Sequence, residues 1–292
     1  MVKECDKNIK MSMNRQLVLI SNPGNPGDSN YVKTTEEAID RWENFFRSPL
    51  GGYWRDGEII RFVEKQPIDV EAFRRVLIPL NTVQCDYSVI VFCGHGAYTI
   101  DGIDAIQLPL PTQSNNNLLS VDELITPGIP SVRRTVILDA CRSLIPYTST
   151  QLFEQRMYSS VYTIDGIECS KYYNSLVMDS SPHVEVLYST SEHQKAYGTM
   201  AGSQYADAMS EIVKKKALYW KARAINDRYG QYCYTMCDLQ KELTSVLVKN
   251  NIQIPEYRII GTANTSFPFV ALHLPTERTL YVDDAVVDVI GE

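Results

Sequence analysis

Apolar residues fall along this chain in short unbroken runs, separated by segments where they recur every three or four positions. Gln16–Ile20 (Q-L-V-L-I), Tyr87–Cys93 (Y-S-V-I-V-F-C), Thr135–Leu138 (T-V-I-L) and Val184–Thr190 (V-E-V-L-Y-S-T) are runs of the first kind. Runs this short, without alternation, predict strands buried on both faces. Glu58–Val63 predicts a further strand. Between the runs, Ile39, Trp42, Phe45 and Phe46 form a stripe at helical spacing, behind Thr34 or Thr35 as cap and with Glu36 and Glu37 in the first turn. Asp69 caps a helix carrying Val70, Phe73, Val76 and Leu77, and Ser120 caps a short one within Leu119–Ile125. Ser203–Lys216 and Asp238–Val248 read as amphipathic helices, the second with Leu239, Leu243, Val246 and Leu247 on one face. Strand and helix alternate through the first half of the chain. That order predicts an α/β protein with a mainly parallel sheet and helices on both sides.

The intervening stretches are polar or rich in turn residues. S-N-P-G-N-P-G-D after the first strand is a dense loop signal, and it lacks the glycine and lysine spacing of a phosphate-binding loop. Tyr98–Leu110 reads as an excursion of short strands turning at Asp101-Gly102, and Asn115–Asn117 as a polar loop. Residues 145–182 are rich in Ser and Tyr with weak periodicity, and a long loop inside a domain is usually functional or mobile. Phe269–Leu274 predicts a last strand, and Y-V-D-D-A-V-V-D-V-I an extra edge strand.

Composition narrows the function classes. With 292 residues and 44% hydrophobic content, the chain can bury a large core. A net charge of −7 supplies no electrostatic reason to expect nucleic acid or an anionic membrane. No apolar run reaches bilayer length, and the charged N-terminus does not read as a signal peptide. Seven scattered cysteines without a C-x-x-C pair fit reduced thiols in a cytoplasm. Cys233 and Cys237 would lie one turn apart on a helix, but no nearby His completes a metal set, so no metal or cofactor is expected.

Chemistry concentrates at two strand exits. In a parallel sheet, ligands bind beyond the carboxyl ends of the strands. Tyr87–Cys93 runs into Gly94-His95-Gly96, and Thr135–Leu138 into Asp139-Ala140-Cys141-Arg142. Neighbouring parallel strands would bring His95 and Cys141 to one edge. A thiol needs a base to become a competent nucleophile, and an imidazole can supply it and then protonate the leaving amine. The N–H groups of Gly96 and Cys141 are candidates for an oxyanion hole, with Gly96 admitting close backbone approach. Cys85, Cys93 and Cys169 are read as small buried hydrophobes, and His183 and His273 as surface hydrogen-bonders.

C-G-H-G and D-A-C-R-S resemble the two catalytic motifs of the caspase-like cysteine peptidases, which include caspases, metacaspases and paracaspases. Their separation of about fifty residues is also that of caspases. L-Y-S-T at Leu187–Thr190 resembles the strand after the nucleophile in that group. The resemblance implies a three-layer α/β/α sandwich, a Cys141–His95 dyad and cleavage of extended peptide substrates. Residues 1–13 read as a flexible leader, and the resemblance implies one peptidase domain over 14–275. Within that domain, 14–145 matches the large-subunit part, 146–182 a linker and 183–275 the small-subunit part; 276–292 is an extension.

Specificity follows from the same motif. Caspases place Gln two residues before the nucleophile, where this chain has Asp139, as metacaspases and paracaspases do. An acid there favours a basic P1 residue and repels an acidic one. Glu37 is the best match for their second pocket acid, and Lys195 stands where a paracaspase has another. Ser191 and Glu192 are expected along the substrate groove, and Arg156 and Lys171 are candidate self-cleavage sites within 145–182. No acidic cluster supports the calcium activation of metacaspases. The expected partners are a protein or peptide substrate and a regulatory protein, with the chain a monomer or a homodimer. A second reading keeps the fold but makes it a catalytically silent signalling scaffold.

Overall fold

A computed structural model describes residues 13–24, 31–32, 34–63, 68–98, 104–109, 118–127, 129, 132–140, 164–192, 194, 196, 198–199, 202–224, 230–249 and 253–274. The first half of the chain forms β1 (Arg15–Asn22), α1 (Thr35–Arg47), β2 (Ile59–Phe62), α2 (Val70–Leu80) and β3 (Tyr87–Gly94). Next come β4 (Gly96–Tyr98), β5 (Asp104–Gln107), β6 (Leu118–Ser120), α3 (Val121–Ile125) and β7 (Arg134–Ala140). The second half forms α4 (Gly166–Asp179), β8 (Val184–Tyr188), β9 (Gly198–Thr199), β10 (Gly202–Ser203) and α5 (Gln204–Ala224). It ends with β11 (Gln231–Thr235), α6 (Met236–Lys249), β12 (Glu256–Ile260) and β13 (Pro268–His273).

Six strands make the central sheet in the order β12-β8-β7-β3-β1-β2. Its neighbours run parallel except at the β12 edge, which pairs with β8 antiparallel. Successive side chains on a strand point to opposite faces. Leu17, Leu19, Val89, Val91, Ile137 and Leu187 therefore share one layer with Trp42 of α1, Tyr173 of α4, Met209 of α5 and Leu243 of α6. Val18, Ile20, Ile90, Phe92, Val136 and Leu138 pack on the other side against Phe73 and Leu77 of α2 and Leu124 of α3. The result is a three-layer α/β/α sandwich. The α1 stripe and the α2 cap behave as read: Ile39, Trp42, Phe45 and Phe46 are buried on α1, and Asp69 caps α2 by accepting from the Ala72 N–H at 2.7 Å.

Arg134 fastens the lower end of the sheet. It is fully buried and donates to Ser88 Oγ, the Leu80 and Leu124 carbonyls and Asn81 Oδ1. Two of these are carbonyls near the C-terminal ends of α2 and α3, where a cation is favoured. Burial draws its guanidinium down to about 10.

Several expectations are revised. Residues 166–179, read as part of a weakly periodic stretch, form α4; Asp165 caps it, and Cys169, Tyr173 and Val177 are buried. Only three buried positions in 14 residues make its hydrophobic pattern faint. Strands β11 and β12 were not foreseen, and Cys233 lies on β11 while Cys237 opens α6, so the two do not share a helix. The predicted last strand exists, but β13 pairs with β11 and stays outside the main sheet. On α6 it is Leu239, Leu243 and Leu247 that are buried, while Val246 faces solvent. The turn at Asp101-Gly102, the loop Asn115–Asn117 and the proposed extra strand in 276–292 lie outside the described residues. No helix among the described residues is long and apolar enough to cross a membrane.

Candidate active site

The upper edge of the sheet is set by two adjacent strands that end together. β3 and β7 pair in parallel from Ser88↔Arg134 to Cys93↔Asp139 and Gly94↔Ala140. His95 follows Gly94 directly. Cys141 follows Ala140 in sequence and lies outside the described residues, as do Arg142, Arg156 and Lys195.

Gly94 is the residue that this edge cannot replace. Its φ is +152°, and a Cβ there would overlap the carbonyl oxygen of Asn22, its partner on β1. Gly96, expected to admit close backbone approach, lies on β4 opposite Ile106.

The His95 ring is anchored from β1. Its Nε2 lies 3.1 Å from the carbonyl oxygen of Pro23. That oxygen can only accept, so Nε2 carries the hydrogen, and in a neutral ring Nδ1 keeps the lone pair. The Pro23 segment is itself stitched in place. Asn22 Nδ2 donates to the Gln107 carbonyl at 2.8 Å, and Asn22 Oδ1 accepts from the Gly24 N–H at 3.0 Å. The Gln107 N–H donates to the His95 carbonyl at 2.9 Å, closing a loop of contacts among β1, β5 and the histidine. Sequence reasoning missed Asn22 and Pro23 because S-N-P-G reads only as a turn, and a backbone carbonyl leaves no signal in the residue code.

Asp139 points to the α1 and α5 side of the sheet, with Cys93 beside it. It is only 4% exposed. Ser203 donates to its Oδ2 and also accepts the Ala206 N–H at 2.9 Å, so the carboxyl is tied to the start of α5. Burial pushes its titration up to about 6, against the hydrogen bond from Ser203 and the attraction of Arg41. Burial, with Asp139 adding to it, also raises the Cys93 thiol well above its usual range. That makes Cys93 an inert hydrophobe, as read; Cys169 is buried as well.

The two acids assigned to the pocket do not stand alone. Glu37 is exposed on the first turn of α1, and both it and Asp139 attract Arg41, one turn further along the same helix. Arg41 is ion-paired with Asp207 of α5. The expected pair of acids is therefore three carboxylates around one guanidinium. Neither Arg41 nor Asp207 was singled out in the sequence, because charged helix residues are most often solvated.

The end of β7 is gripped from β8. The ladder between them stops at Leu138↔Tyr188, and Ser189 N–H then donates to the Leu138 carbonyl at 2.9 Å. Beyond that point side chains replace backbone. Ala140 N–H donates to Ser189 Oγ at 3.2 Å, while Thr190 Oγ1 donates to the Ala140 carbonyl at 3.1 Å. Both hydroxyl residues are fully buried. Ser191 is half-buried and Glu192 exposed; Glu192 pairs with Arg258 of β12 at 2.8 Å.

Lys171 lies on α4 and pairs with Glu168 at 2.5 Å. His183, expected at the surface, is buried: its ring stacks on Phe267 with centroids 4.0 Å apart and bonds Glu185 at 2.9 Å. Among the described residues no three His, Cys, Asp or Glu side chains gather so as to hold a metal.

No family model matches the chain, and no curated protein matches its sequence. Solved structures do match. Caspase-1 from Spodoptera frugiperda superposes with a TM-score of 0.50 at 11% identity, covering 84% of this chain and 86% of that one. Protein GSU0716 from Geobacter sulfurreducens gives 0.52 at 12% identity, covering 85% and 94%. At such identities the likeness is one of architecture. With its mainly parallel sheet, its helices on both faces and these neighbours, the chain has the caspase-like fold.

Proposed function

We propose that this protein is a cysteine endopeptidase in which Cys141 is the nucleophile, His95 its base, and the P1 residue of the substrate basic. The observation that carries the reading is the shared end of β3 and β7 at Gly94↔Ala140, after which the chain continues into His95 and Cys141. Neighbouring parallel strands ending in register favour a meeting of the two next residues at one edge. The bond from Nε2 to Pro23 supports the role of base, since it favours the neutral tautomer whose lone pair sits on Nδ1.

The reaction balances without a cofactor. The Cys141 sulfur bonds to the scissile carbonyl carbon, and the C=O π pair moves to oxygen, where the N–H groups of Gly96 and Cys141 would receive it. Collapse expels the amine with the proton held by His95, and water then releases the acyl group. Preference for Arg or Lys at P1 is supported by charge: among the described residues Glu37, Asp139 and Asp207 outnumber Arg41, so their cluster is net negative. Self-processing and a role in regulated proteolysis belong to the same reading. Of the two candidate self-cleavage sites, Arg156 is favoured, because Lys171 would have to leave a helix to adopt an extended form.

Fluorogenic peptides ending in Arg, Lys or Asp test this, with wild type beside Cys141→Ala. Turnover of the Arg and Lys peptides, abolished in the variant, is the expected result. Cleavage of the Asp peptide alone would overturn the specificity, and activity that survives the substitution would overturn the mechanism. No turnover in either protein would favour the scaffold reading.

A further inference from the structure

Ser189 and Thr190 have no part in the chemistry described so far, yet they hold the residue that precedes the nucleophile. Backbone groups buried away from water must find partners, and at Ala140 the β8 backbone no longer supplies them. The chain meets this with two consecutive hydroxyl side chains, one taking the Ala140 N–H at 3.2 Å and the other bonding its carbonyl at 3.1 Å. Ser189 Oγ also lies 3.4 Å from that carbonyl oxygen. On the opposite side Gly94 pairs with Ala140, so the residue is held from both flanks.

The Ala140 carbonyl belongs to the same planar amide as the N–H of Cys141. Fixing the plane of that carbonyl fixes the line along which the N–H points. Hydrogen bonds donated to the carbonyl also draw electron density toward its oxygen, which makes the N–H at the other end of the amide a stronger donor. We infer that Thr190, with Ser189, is a positioning residue that aligns and polarises the Ala140–Cys141 amide, so that the Cys141 N–H can stabilise the oxyanion. This rests on the peptidase reading above, and it adds two residues that are fully buried behind the nucleophile's strand.

The variants are Thr190→Val, which keeps the shape and loses the hydroxyl, Thr190→Ser, which restores it, and Ser189→Ala. Thr244→Val, which removes a comparable hydroxyl-to-carbonyl bond on α6, is the control. Loss of a direct oxyanion donor costs about 10²–10³ in kcat, so loss of its orientation in Thr190→Val should cost about tenfold, with KM within about twofold. Thr190→Ser should recover most of it, and the α6 control should lose none.

Two thiol reagents separate positioning from general damage. A P1-Arg peptide aldehyde adds the Cys141 sulfur to its carbonyl carbon, the π pair becoming an oxyanion that takes the thiol proton. Iodoacetamide alkylates the same sulfur with loss of iodide and forms no oxyanion. Aldehyde affinity should fall about tenfold in Thr190→Val while the alkylation rate stays unchanged. Equal losses with both reagents, or kcat unchanged in both Thr190→Val and Ser189→Ala, would overturn the inference and leave the peptidase standing. A wild-type protein with neither turnover nor thiol labelling would overturn the peptidase reading, and this inference with it. If Thr190→Val does not fold, Ser189→Ala decides by the same measurements.

Discussion

The imidazole Nε2 of His95 lies 3.1 Å from the carbonyl oxygen of Pro23, a residue 72 positions earlier in the chain. A ring held this way has one tautomer when neutral, with the lone pair on Nδ1, the atom that the proposed mechanism uses as base. His95→Ala is expected to lower kcat/KM by about 10²–10⁴. Asn22→Ala leaves the histidine and the Val32 N–H on the Pro23 carbonyl at 2.7 Å but cuts the two side-chain bonds of Asn22 that flank Pro23, and should lower kcat about tenfold with little change in KM. Steady-state kinetics on a P1-Arg peptide measures both. Full activity in Asn22→Ala would mean that the Val32 N–H holds the Pro23 carbonyl without help from Asn22.

Asp139 should separate stability from activity. Its carboxyl titrates near 6 in the fold against 3.8 ordinarily, because burial disfavours the charge. The folded state therefore holds the proton more tightly than the unfolded one, and stability falls as pH rises through the window from about 4 to 6. Above that window the buried charge costs about 3 kcal/mol. Asp139→Asn should then be more stable than wild type at pH 8 by an amount of that order, and no more stable at pH 4. It should lose turnover of P1-Arg peptides, and in wild type that turnover should decline as pH drops through about 6. Urea unfolding at the two pH values, set beside kinetics, tests the pair of effects. A variant destabilised at pH 8 would contradict the burial account.

Gly94→Ala is expected to cost roughly 3 kcal/mol or more, because the added methyl meets backbone and no side chain can swing aside. Gly57→Ala provides the contrast, since a Cβ there meets nothing within 4 Å. Denaturant midpoints compare the two directly, and similar shifts would remove the steric argument.

His183 and Glu185 form a buried pair far from the site, at the N-terminal end of β8. Both ring nitrogens face oxygens, the Ser181 carbonyl at 2.7 Å and Glu185 Oε1 at 2.9 Å. Glu185 Oε1 also accepts the Phe267 N–H at 3.0 Å, which ties β8 to the approach to β13. His183→Leu strands a buried carboxylate and should destabilise by about 3–5 kcal/mol. The double replacement His183→Leu with Glu185→Leu should cost clearly less than the sum of the two single ones. Additive effects would show that the pair is not coupled.

Much of the sheet is legible in the sequence. An uninterrupted apolar run has no solvent face, so β1, β3, β7 and β8 could only be interior strands, and parallel interior strands place their exits on one edge. That physics points His95 and Cys141 to one edge. The strands β11 and β12 escaped notice for the opposite reason. Their burial is partial, Q-Y-C-Y-T and E-Y-R-I-I, and partial burial leaves no clear period. Helix α4 hid in the same way behind its few buried positions.

By itself, the order of residues determined the sheet class, the interior strands and the two exits that carry a histidine and a cysteine, because hydrophobic periodicity is a local property. Tertiary structure alone decided that Pro23 holds the histidine, that Arg41 and Asp207 share the neighbourhood of Asp139, and that two hydroxyls clamp Ala140. Each of those is a contact between segments distant in sequence, made through a backbone carbonyl, a charge on another helix or a side chain standing in for a missing strand. None has a period or a spacing to betray it.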